Sequence, residues 1–424
     1  MRESKRDMRA GLIGVLIVCG LVGPGALRDL GAEELVRVGL RYGSGAPNAV
    51  VVSGSGKGQG ERSRGSFEGE MTVAAQGREI VLEHKGRRAK VGRWAELWPV
   101  GKDPWLKLDG AAYRGKLRFE VAGGRLKVID IVGIEDYVRG VVPNEMFADA
   151  EAFKVQAVIS RTLAVYVRDI ERKHARDGFD ICATGHCQVY RGVDSERTLA
   201  DEGVAGTRGE VLTYRGKAIF SAYHANAGGR TQTVDEAWPG SIARDFPYLC
   251  SVESPYDGQA NDLPGYAWCY RWRREVRPEE IRKLVGGSER RLGTVRDVVV
   301  TRRTSTGRVR ELEVVGTRGR TTLKSPGKVR SVLGIPSALF EVERGGGCFV
   351  LHGRGRGHGV GLSQHGALGM AKAGHGYEEI LGHFYRGVEL REEYGRGEPR
   401  VLAAPELTAE GGEAEPATLP EGVS

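Results

Sequence analysis

One change of period constrains this chain more than any other feature. Between residues 150 and 173 apolar side chains recur at Val155, Ile159, Leu163, Tyr166 and Ile170. Steps of three and four lay a single stripe along a helix of about six turns. Asp149 stands where an N-cap belongs. Upstream the period is two. Glu34 to Leu40 alternates, and from Met71 to Asp130 short alternating runs (78–84, 116–123, 125–133) are separated by glycines, the pattern of a β-meander. Residues 42–70, rich in glycine and serine, read as loop or variable insertion. Strand signals return at 210–225 and in three runs between 294 and 324, with short helices at 278–286 and 377–385.

The expected fold is therefore α+β: a β-rich core around one long helix, with a second, smaller β-containing lobe at about 250–345 and a cleft between them. A β-rich variable region would cover 27–104 and the main body 105–390. Residues 391–424, rich in Glu, Pro and Gly, read as a disordered acidic tail. Glycine makes up 64 of 424 residues, so tight turns and close backbone approaches are expected throughout. Lys and Arg number 63 against 55 Asp and Glu, a charge of +8 without a basic block. That balance suits an acidic polymer as partner and does not call for nucleic acid.

The N-terminus and the cysteines speak to compartment. Arg2, Lys5, Arg6 and Arg9 precede an uncharged apolar run from Ala10 to Gly23. This reads as a secretory signal over residues 1–26, too short for a comfortable membrane span. Pro24-Gly25-Ala26 is a poor cleavage triplet, which keeps an uncleaved anchor as the alternative. The chain is thus expected outside the cytoplasm, in the cell envelope, touching membrane only through this segment. Five cysteines follow the leader, Cys182, Cys187, Cys250, Cys269 and Cys348. An odd number in an exported protein implies a free thiol or another use, such as a metal.

Three neighbourhoods offer chemistry. Glu145 lies among Val141, Val142, Met146 and Phe147 just before the helix cap. A carboxyl desolvated by such neighbours has a raised pKa, as a general acid requires; a solvated acid in a helix-entry loop is the plainer reading. His174, Cys182, His186 and Cys187 fall within fourteen residues. They suit a tetrahedral Cys2His2 site, a Cys182–Cys187 disulfide or two buried thiols. The run 351–367 alternates glycine with polar residues, among them His358, Ser363 and Gln364, which suit sugar hydroxyls; a tight β-turn is the plainer reading. It lacks the βαβ context of a dinucleotide fingerprint.

Taken together, these blocks resemble the SpoIID/LytB family of bacterial cell-wall proteins. The matching stretches are YRGKL (113–117), IEDYVRGVVPNEM (134–146), AFKVQAVISRTLAV (152–165), CATGHCQVYRGV (182–193), AYHANAGGRTQTVDEAW (222–238) and the glycine-rich run 353–390. The resemblance implies a lytic transglycosylase acting on peptidoglycan glycan strands, with 105–390 as the catalytic region. In the sporulation members the strands have already lost their stem peptides to an amidase. It implies Glu145 as the catalytic acid/base and a structural zinc on His174, Cys182, His186 and Cys187, with no cofactor needed for the chemistry. Within the matched motifs, Gln156, Arg161, Gln188, Tyr190, His358, Ser363 and Gln364 are the sugar-binding candidates. A cell-wall amidase and other envelope proteins are the implied partners. The LytB side of the family suggests an alternative, a non-catalytic wall-binding protein that enhances an amidase. Two departures stand out: Phe147, where many relatives have proline, and His365, which replaces a common aromatic.

Overall fold

The structure, a computed structural model, describes residues 34–405 apart from 102–103, 241–242 and 287–291. The expected leader and residues 406–424 of the expected tail lie outside the described residues.

An 11-stranded sheet dominates the N-terminal part. Its strands are β1 (Leu35–Arg41), β2 (Ala49–Gly60), β3 (Arg64–Gln76), β4 (Glu79–His84), β5 (Arg87–Gly92), β6 (Trp94–Pro99), β7 (Leu106–Leu108), β8 (Ala111–Tyr113), β9 (Lys116–Ala122), β10 (Arg125–Gly133) and β11 (Ile181–Cys182). The order is β11-β1-β10-β9-β6-β2-β3-β4-β5, with β7 on β2 and β8 on β7. The boundary expected at residue 104 falls inside this sheet.

Residues 42–70 do not form the expected loop. They build most of the β2–β3 hairpin, in which Val50 pairs with Val73, Val52 with Met71 and Gly56 with Phe67. A Cβ on Gly56 would come within 2.7 Å of the Phe67 ring. The glycine makes room for that buried aromatic, so packing overrides the low strand propensity of the segment.

From β10 the chain turns directly into α1 (Ile134–Arg139), then α2 (Val142–Glu145) and α3 (Ala150–Tyr166). The Asp149 carboxylate accepts the Ala152 N–H at 3.0 Å, the expected cap. α3 continues as a single π-helical turn, Val167–Glu171, and stops where Arg172 adopts left-handed φ of 53°. The helix is therefore shorter than the apolar stripe predicts, and Ile170 at its far end is 43% exposed. α3 is buried on nearly every side, because α1, α2, α4 (Thr198–Gly206), the strand Val211–Tyr214 and the C-terminal helices all pack on it. Its buried Val155, Val158, Ile159 and Leu163 each contribute roughly 1.5–3 kcal/mol by leaving water.

The second lobe has its own core, centred on Val276, Leu312, Val314, Phe349 and Leu351. Two three-stranded sheets form it: Arg271–Val276, Cys348–Arg354 and Phe340–Gly345; and Val295–Arg303, Val309–Gly316 and Arg320–Lys324. It thus runs from about 271 to 354 rather than 250 to 345. Its first expected residues instead pack on the main body, where a Cβ on Gly369 would sit 2.5 Å from Tyr256. The expected tail also begins later. Pro399–Val401 pairs with Glu389–Arg391, and Leu402 is buried.

Candidate active site and metal-donor cluster

α2 is one turn long, and Met146 after it returns to extended backbone. This geometry turns Glu145 into a cleft of about 970 Å³ between the main body and the second lobe. Glu145 Oε1 accepts the Val189 N–H at 2.7 Å. The Tyr223 hydroxyl lies beside the same carboxyl and favours its anionic form. The Gln364 amide donates to the main-chain oxygen of Glu145 and lies 3.4 Å from Gln156 Oε1. Burial pushes the Glu145 carboxyl above its usual range, and these donors only partly offset it. A carboxyl whose pKa is raised in a groove has the chemistry a general acid requires.

The sequence candidates divide by depth. Glu145, His358 and Gln364 line the cleft. His358 accepts the Val360 N–H on Nδ1 at 3.1 Å and packs 4.9 Å from the Trp238 ring. Burial lowers its pKa to about 4, so it is a neutral wall. Gln156 and Gln188 stand one layer behind. Gln188 accepts the Tyr137 hydroxyl at 3.0 Å and turns its amide toward Tyr223.

Three candidates are not at the cleft, and each is a correction. Arg161 is fully buried in a two-pronged ion pair with Glu135, both contacts 2.8 Å. Tyr190 is a core wedge that donates to Asp130 Oδ2 at 2.8 Å and packs against Tyr113 and Tyr137. Ser363 caps the helix Gln364–Lys372 and bonds the buried Asp257 carboxylate at 2.5 Å. All three carry polar atoms suited to sugar, yet the fold has already satisfied them.

Sequence reasoning missed several cleft residues. Tyr223 and Trp238 sit inside a matched motif but were hidden among its glycines and polar residues. Trp268, 44% exposed, carries the Arg356 guanidinium 4.3 Å above its ring. Arg330 comes from the second lobe, where no motif flagged it. The two departures from the family pattern meet: the Phe147 and His365 rings lie 4.9 Å apart, with Tyr266 edge-on to Phe147.

The loop after α3 gathers the predicted metal donors. One ligand atom each from His174, Cys182, His186 and Cys187 lies within 4.8 Å of every other. Cys182 Sγ is 3.6 Å from His186 Nδ1, and Cys187 Sγ is 3.5 Å from His174 Nε2 and 3.8 Å from His186 Nδ1. Those are edge lengths of a tetrahedron around a zinc-sized ion with bonds of roughly 2.0–2.3 Å. The outer nitrogen of His174 bonds Asp177 at 2.8 Å, the carboxylate support that fixes a ligating imidazole. Both cysteines are free thiols, and the Cys187 hydrogen bond holds Cys182 well below the usual thiol range. The donor set fits a metal.

The cluster and the acid are neighbours in sequence and space: Val189, which bonds Glu145, is two residues past Cys187. A family model described as Stage II sporulation protein (SpoIID) matches residues 122–214, which hold both. A second, a domain of unknown function (DUF8618), matches 253–361. The chain is 30% identical over 378 residues to an uncharacterized protein of Brachyspira hyodysenteriae, covering 84% of this chain and 93% of that one. It is 32% identical over 278 residues to the Stage II sporulation protein D of Bacillus amyloliquefaciens, covering 62% and 76%. It is 27% identical over 332 residues to the Amidase enhancer of Bacillus subtilis, covering 67% of this chain and 45% of that protein. Motif order, site geometry and these likenesses agree, and the chain belongs to the SpoIID/LytB family.

Proposed function

We propose that this protein works on the bacterial cell wall, in the envelope, as a lytic transglycosylase that cleaves the glycan strands of peptidoglycan. The observation that carries the reading is a single desolvated carboxyl, Glu145, in an open cleft. Hydrolysis by water generally uses two carboxyls about 5–9.5 Å apart. Glu171 also lines the cleft, but it is exposed to solvent and does not act on Glu145, so among the described residues Glu145 is the one desolvated carboxyl there.

One carboxyl suffices if the nucleophile belongs to the substrate. Protonated Glu145 donates its proton to the glycosidic oxygen as the bond from the muramic acid anomeric carbon breaks. The resulting carboxylate then takes the proton from that sugar's 6-hydroxyl as its oxygen bonds the anomeric carbon. The products are a 1,6-anhydro-muramic end and a free 4-hydroxyl, and Glu145 is reprotonated. The attack is intramolecular, so it gains from effective molarity and needs no bound water. Val189 N–H holds the carboxyl in place, and with the neighbouring Tyr223 hydroxyl it stabilises the anionic half-cycle.

The cysteine–histidine cluster fits a structural role. Zinc held by His174, Cys182, His186 and Cys187 would pin the loop that carries Val189, and so the orientation of Glu145. It takes no part in the proton transfers.

The test is digestion of purified glycan strands by wild type and Glu145→Gln, with products read by mass spectrometry. Anhydro-muramic ends from wild type alone are expected. Equal cleavage by both would remove Glu145 from the chemistry. The likeness to the Amidase enhancer supports a second reading, a glycan-binding protein that stimulates an amidase. In that case neither protein cleaves, and both stimulate equally.

A further inference from the structure

The cleft pairs aromatic surfaces with cations. Trp238, Trp268 and Phe220 offer flat faces, and Lys173, Arg330 and Arg356 offer charge. Flat rings suit the C–H faces of sugars, and three cations against the exposed Glu171 and the desolvated Glu145 favour an anionic sugar. Two of the three cations are already engaged. Lys173 donates to the His186 main-chain oxygen at 3.4 Å, and Arg356 lies over Trp268.

Arg330 is different. It sits on the second-lobe helix Pro326–Leu333 and reaches the cleft beside His358, a neutral imidazole that it also perturbs. No hydrogen bond or ion pair engages its guanidinium among the described residues, and burial alone depresses its pKa. Nearby Arg308 shows what a structural arginine looks like here: it bonds Thr306, Ala227 and Arg230. A half-buried guanidinium with no protein partner, facing a groove, leaves its fork of N–H donors open to an anion.

Resting on the glycan-binding reading above, we infer that Arg330 binds the free lactyl carboxylate of a muramic acid unit and makes the cleft selective for glycan without stem peptides. The lactyl group carries the only acid of the disaccharide repeat. A stem peptide converts that acid to an amide, which removes the charge and adds bulk. A planar, two-pronged guanidinium matches a carboxylate and not an amide. Arg330 does not figure among the groups that act on Glu145, so it holds a sugar removed from the bond that breaks.

The test is equilibrium binding by the full chain carrying Glu145→Gln, which separates binding from turnover. The probes are peptide-free glycan strands and the same strands with their lactyl carboxylates converted to methylamides. Glu145→Gln should prefer the carboxylate strands about tenfold, the strength of one charge-assisted hydrogen bond. Adding Arg330→Gln should collapse that preference to about one. Adding Arg330→Lys should leave part of it, and decides the matter if the glutamine variant does not fold. A preference that survives both substitutions, or is absent with Arg330 intact, overturns the inference. Wild-type digestion runs in parallel. Anhydro-muramic ends with the preference unchanged in the Arg330 variants would sink the inference and leave the transglycosylase reading standing. A collapsed preference with no cleavage would do the reverse.

Discussion

Arg161 lies within a family motif and looks like a sugar ligand, whereas its surroundings make it a core residue, and the two roles predict opposite failures. It heads the wholly buried side chains by size. Nε and Nη2 each lie 2.8 Å from Glu135 carboxylate oxygens, and Nη1 lies 3.1 Å from the Glu210 carbonyl. Arg161→Ala strands Glu135, which is almost as deeply buried and keeps the Gly209 N–H at 3.1 Å. Breaking a buried pair from one side costs about 3–5 kcal/mol, a large part of a typical total of roughly 5–15. The assay is guanidinium unfolding followed by tryptophan fluorescence: the midpoint should fall with the slope unchanged. Arg161→Met with Glu135→Leu should recover much of the loss, because no uncompensated charge remains. An Arg161→Ala protein as stable as wild type but weakened in glycan binding would refute this assignment.

Two further outcomes follow from buried groups. Asp130 is wholly buried, with one oxygen on Tyr190 and the other without a partner among the described residues. Burial raises its pKa from 3.8 to about 7. The native state therefore holds this proton where the unfolded chain has lost it, so its contribution to stability is full below about pH 4 and falls away as pH rises through 7. Relative to wild type, Asp130→Asn should gain on the order of 3 kcal/mol between pH 5 and pH 8, and parallel pH profiles of the two would count against it. For the metal cluster, protein purified without added metal should contain about one zinc per chain by elemental analysis. Chelation should lower the thermal transition and slow cleavage together, since Val189 N–H moves with the loop; a Cys182–Cys187 disulfide in mass mapping would end the zinc proposal.

How far the chain could be read follows from the range of the forces involved. The long helix, its Asp149 cap and the strands between 71 and 133 were legible because their apolar periods are local. The hairpin through 49–76 was not, because its glycines make sense only beside Phe67, a cross-strand neighbour. The placing of Glu145 in a cleft and the gathering of His174, Cys182, His186 and Cys187 were legible through residue type and motif. Arg161, Tyr190 and Ser363 were misplaced because a polar atom in a motif looks the same whether it faces a ligand or Glu135, Asp130 and Asp257. Arg330 was invisible for the converse reason: only the folded cleft sets it apart from the other arginines.

That same distinction explains how so short an element can carry the proposed catalytic acid. α2 is a single turn, too short to be stable by its own hydrogen bonds. Its carboxyl must nevertheless stay desolvated and aimed. The chain meets this need from distant segments: Val189 lies 44 residues on, and Gln364 holds the Glu145 carbonyl from 219 residues away. Gln364 is itself fixed because Ser363 caps its helix and bonds Asp257, whose buried carboxylate also accepts Ser254 and the Gly229 N–H. The glycine-rich run thus serves the acid from behind, through Asp257, as much as it offers surface to a sugar. On the proposed mechanism Ser363, one of the residues that seemed to belong to the substrate, sets where the proton is delivered without touching the glycan, and an error of about an ångström in that setting costs as much as a lost contact.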